Sequence, residues 1–109
     1  MGFAASQARQ LMMTGYISDL EFQGQMINQA RLQLANSIGQ LYTTSTDLSP
    51  ESAQTRQITA AIAAIQQLDK QLELQLRRVD NQRRAATSEL DAVKKYLDEG
   101  IQRSFKTFG

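Results

Sequence analysis

An all-α protein, built as helix, hinge and helix, follows from three observations: which residues dominate, where the chain breaks, and an apolar repeat of seven. Ala, Leu, Gln, Arg, Ser and Thr dominate the 109 residues, and the first four lose little side-chain freedom in a helix. No cluster of β-branched and aromatic residues reaches strand length. A single Pro lies in the one stretch that punctuates the chain, TTSTDLSP at 43–50. On either side of that stretch apolar residues recur at heptad spacing.

The first helix is expected over about 4–42. Met13, Leu20, Ile27, Leu34 and Leu41 lie seven apart, flanked by Ile17, Ala30 and Ile38. Gly15, Gly24 and Gly39 weaken it. Such glycines mark either a place where another backbone comes close or a locally frayed helix.

The hinge is expected over 43–50, where hydroxyl side chains and Asp47 compete for backbone hydrogen bonds and Pro50 removes one. Ser49-Pro50-Glu51 reads as a helix start, with Ser49 as N-cap and Pro50 at the first helical position.

The second helix is expected over about 51–106. Its seam is Ile58, Ile62, Ile65, Leu72, Leu76, Val79, Leu90, Val93 and Leu97, at alternating steps of four and three. Ala86 belongs to the same stripe. Two seam positions, Asp69 and Arg83, are charged, which is costly unless each is paired. Pairing them between neighbouring copies would set register. Beyond Leu97 the apolar spacing shifts to Ile101, Phe105 and Phe108, expected as C-terminal assembly contacts.

Length adds a constraint. Residues 51–106 as one helix would reach about 84 Å, against a radius of gyration of about 13 Å for a compact chain of this size. The chain is therefore expected to be extended rather than globular. Two helices sharing one seam also leave Phe22, Met26, Leu32, Leu68, Leu74, Tyr96 and Phe105 uncovered, which points to self-association.

The chemistry open to the chain is narrow. It has no Cys, His or Trp, which excludes disulfides, thiol chemistry, imidazole catalysis and zinc sites built on Cys or His. Its acidic residues alternate with Arg and Lys, and Glu73 with Arg77 and Asp80 with Arg84 read as solvated i,i+4 pairs. No phosphate loop, nucleophile elbow or calcium loop is present. No enzymatic activity, cofactor or metal is expected. Lys+Arg 12 against Asp+Glu 11 gives a net charge of +1, too little for nucleic-acid binding by the Arg77-Arg78 and Arg83-Arg84 doublets. The longest apolar run, Ala60–Ile65, is far short of the ~20 residues of a membrane span. Fifteen Gln residues supply uncharged polar faces suited to packing between copies.

The stretch Val93-Lys94-Lys95-Tyr96-Leu97-Asp98-Glu99-Gly100-Ile101-Gln102-Arg103-Ser104-Phe105 resembles the end of type III secretion needle subunits, and the helix, Pro-containing hinge and helix are similar too. Ile27-Asn28-Gln29-Ala30 and Leu34-Ala35-Asn36-Ser37 resemble the opening helix of flagellar axial proteins. The resemblance implies a small bacterial subunit, exported without a cleaved signal, that polymerises through its termini. Val93, Leu97, Ile101, Phe105 and Phe108 would then pack between subunits. The expected role is a self-assembling filament or tube subunit, whose partners are itself and, through the resemblance, an export apparatus or helical chaperone. The alternative is a discrete coiled-coil oligomer serving as adaptor or chaperone for another helical protein. Surface or extracellular placement is favoured, with the cytoplasm as the alternative.

Overall fold

Hydrogen bonding along the backbone closes two long helices, α1 at Phe3–Ser45 and α2 at Ala53–Phe108, and among the described residues no strand. This computed structural model describes the backbone of residues 2–108 and the side chains of residues 2–103. The all-α, helix–hinge–helix plan is the one the heptads predict. Contacts divide the chain into two units, one formed by residues 1–23 with 79–109 and the other by residues 24–78.

Residues 24–78 are a helical hairpin. Within it, Gly24, Ile27, Arg31, Leu34, Ile38, Leu41 and Ser45 of α1 are half-buried, all at steps of three and four. On α2, Ile58, Ile65, Asp69, Leu72 and Leu76 are half-buried and Ile62 is 8% exposed. A lone helix cannot cover one of its own side chains this far, so the two stripes cover each other. Arg31 bonds Asp69, and one heptad away on each helix Gly24 lies against Leu76. The pair is therefore antiparallel, with the α2 seam turned inward on its own chain.

The turn of this hairpin differs from the expected one at both ends. α1 continues through Ser45 with its hydroxyls folded back onto it: Thr43 Oγ1 donates to Gly39 O and Thr44 Oγ1 to Gln40 O, each one turn back. Bonded back in this way they no longer offer the backbone a competing turn, at a slight cost to the helix. Pro50 is not the first residue of α2. It occupies the second position of a β-turn closed by Ser52 N to Ser49 O at 3.1 Å, where its fixed φ is favoured. The N-cap is Ser52, whose Oγ accepts from Thr55 N at 3.1 Å, and Ser49 instead offers its carbonyl to Thr55 Oγ1. No described residue, glycine included, has positive φ.

The parts of α1 and α2 within residues 3–23 and 79–108 form the second antiparallel pair. Ser6, Gln10, Met13, Ile17 and Leu20 continue a four-three stripe on α1. Facing it are Val79, Arg83, Ala86, Leu90, Val93 and Leu97, with Gly100 half-buried at the next step. Leu20 and Ser6 at 2%, Ala86 at 3% and Leu97 at 6% exposure are the best-covered residues here. Ser6 and Ala86 are small, which lets the helices close on one another at those levels.

Candidate functional site

In the hairpin unit the one interhelical ion pair sits in the seam itself. Arg31 Nε donates to Asp69 Oδ1 at 2.8 Å and Nη2 to Asp69 Oδ2 at 3.3 Å. Both side chains are about one-third exposed. The fork-on-carboxylate geometry is the directional one for this pair. Hydrogen bonding from Arg31 holds the Asp69 carboxyl below its usual range, and the same bond lifts the Arg31 guanidinium above its own. Glu73 and Arg77 pair along α2 at 2.8 Å.

In the other unit, Asp80 collects two guanidinium groups from its own helix, Arg83 at 2.9 Å and Arg84 at 3.0 Å. The bond from Arg83, helped by the charge of Arg84, lowers the Asp80 carboxyl. Arg9 reaches across to Glu89. Asp69 and Arg83 thus each have a partner inside the chain, and neither needs the other on a second copy. Arg31 was not marked by the sequence reading. Its signal was the continued four-three step from Met13, Ile17 and Leu20 through Gly24 and Ile27 to position 31.

The predicted seam residues Ile58, Ile62, Ile65, Leu72, Leu76, Val79, Leu90, Val93 and Leu97 lie buried or half-buried within their own units. Of the three C-terminal residues, Ile101 is exposed at 49%. The side chains of Phe105 and Phe108 lie outside the described residues. Two open grooves flank the seam near Leu97. One is lined by Ser6, Arg9, Glu89, Ala92, Val93 and Tyr96, the other by Phe3, Gln7, Gln10, Lys94, Leu97, Asp98 and Ile101. In the first, Glu89 is paired with Arg9.

The outward faces carry the more unusual chemistry. Leu11 is 76% exposed, Met12 74%, Leu32 63% and Phe22 62%. Met26, Leu68, Leu74 and Tyr96 are also open to solvent, as the one-seam argument requires. Between Phe3 and Ser45 the charged residues are Arg9, Asp19, Glu21 and Arg31 alone. With so few charges, the outward positions of α1 mix apolar side chains with Gln and Ser, and α1 is covered on one side.

Among the described residues no group of three acidic side chains is placed to hold a metal ion. No described helix is long and apolar enough to cross a membrane. No protein-family model, curated protein or solved structure matches the chain.

Proposed function

We propose that the chain is a structural subunit that self-assembles into a helical filament or tube. One observation carries this reading: large apolar side chains from Leu11 to Ile101 stay exposed on the outward faces after the seam is filled. Apolar side chains that the seam leaves open are covered when copies associate. The needle-like stretch at Val93–Phe105 supports a setting as an exported surface appendage, with an export apparatus or helical chaperone as transient partner.

The second reading is a closed coiled-coil oligomer that holds another helical protein. It is favoured by Met12 and Met26, both exposed, since flexible thioethers suit surfaces that adapt to different partners.

Sedimentation and light scattering against concentration separate the two. Mass that grows without a plateau supports the filament, a fixed small oligomer supports the closed form, and a monomer throughout overturns both. A chain ending at Gly100 should remain helical and soluble yet fail to assemble. Filaments of that truncation in electron micrographs would remove the C-terminal residues from the assembly contact.

A further inference from the structure

We infer that the outward face of α1 between Ala4 and Phe22 is a two-fold contact, which pairs this chain antiparallel with a second copy about Gly15. The inference rests on the self-assembly reading above and names the face that carries it.

Steps of three and four connect Ala4, Ala8, Leu11, Gly15, Asp19 and Phe22, with Met12 beside them, on the side of α1 opposite Met13, Ile17 and Leu20. All seven are exposed, and a Cβ built on Gly15 meets nothing within 4 Å. Asp19 is the single charge on this face.

Size is distributed in a self-complementary way. An antiparallel copy centred on Gly15 brings Phe22 level with Ala8 of the second copy, and Ala8 level with Phe22 of the second copy. Large thus falls beside small twice over, and the two glycine backbones meet in the middle. A parallel copy would set Phe22 on Phe22 and Asp19 beside Asp19. In the antiparallel arrangement the Asp19 carboxylates stand about 12 Å apart along the axis, beyond the ~8 Å screening length of physiological salt. Opposed helix dipoles favour the same direction.

The surface is large enough. Leu11, Met12 and Phe22 are 76%, 74% and 62% exposed. At ~200 Å² for a whole side chain of this size, they leave roughly 420 Å² open on each copy. Two copies therefore hide about 850 Å² before Ala4, Ala8 and Gly15 are added, which brings the contact near the ~1,000 Å² of a specific interface. Such a contact closes on itself and uses up this face. Growth beyond the pair then falls to α2 and the C-terminal stretch.

The chain has no cysteine, so single introduced thiols report contacts cleanly. Gly15→Cys should cross-link into a dimer under mild oxidation, because the two backbones lie within the ~7 Å that a disulfide spans. Ala85→Cys, exposed on α2, should stay monomeric under the same treatment. Ala8→Phe and Phe22→Ala should each weaken pairing about tenfold, and the double variant Ala8→Phe/Phe22→Ala should recover most of it. Circular dichroism should be unchanged in all five, since none of the positions lies in a seam. Self-association with cross-linking at Ala85→Cys and not at Gly15→Cys overturns this contact and leaves assembly standing. A monomer at every concentration overturns assembly as well.

Discussion

Asp69 shows how a single charged residue in an apolar stripe is made tolerable. Its carboxylate accepts two bonds from Arg31, and removing either partner leaves the other charge against apolar neighbours. Arg31→Leu and Asp69→Leu should each lower the thermal midpoint, whereas the double variant should recover it or exceed it. The pair also sets an acid limit. Asp69 and Asp80 are both held below their ordinary values, so the folded chain binds fewer protons than the unfolded one as pH falls. Their contribution is complete above the unfolded value of about 3.9 and fades as pH drops through the lower folded values. Thermal midpoints measured from neutral pH downward should hold to about pH 4 and then decline. Asp69→Asn should flatten part of that decline. A midpoint unchanged down to the acid extreme would contradict the assigned bonds.

At the scale of the element, α1 runs unbroken through three glycines that the sequence left ambiguous. At Gly39 a methyl group would meet nothing within 4 Å, and at Gly24 it would touch only the end of Leu76 at 3.7 Å. Neither position requires glycine for a close backbone approach. Gly39→Ala should therefore stabilise the folded chain by about 1 kcal/mol, the intrinsic helix preference of alanine over glycine. An unchanged or lower denaturant midpoint would show that position 39 is not helical. The α2 seam was legible because Ile58 to Leu97 repeats four-three with apolar side chains at nearly every step. The α1 seam was half hidden, since Gly24 and Arg31 occupy steps where an apolar residue is the cue. Which charge meets Asp69 was not readable, because that depends on how many residues the turn consumes. The turn was misplaced for a local reason: Thr43, Thr44 and Ser45 bond back into α1, and Ser52 takes the cap expected of Ser49.

For the whole molecule, the balance of charge separates the forces that could drive assembly. The net charge is +1, so copies neither repel strongly nor attract through a single-signed field. Charges on α2 are largely satisfied locally, Asp80 by Arg83 and Arg84 and Glu73 by Arg77. What remains open in quantity is apolar surface, whose burial responds weakly to simple salt. The concentration at which copies associate should therefore shift by less than about twofold between low and physiological ionic strength, where screening lengths fall from ~30 Å to ~8 Å. Sulfate, which strengthens apolar burial, should lower that concentration. A steep loss of association on adding sodium chloride would move the contact from the α1 face to the charged rows of α2. The outcome thus decides between the two helices as the side on which copies meet.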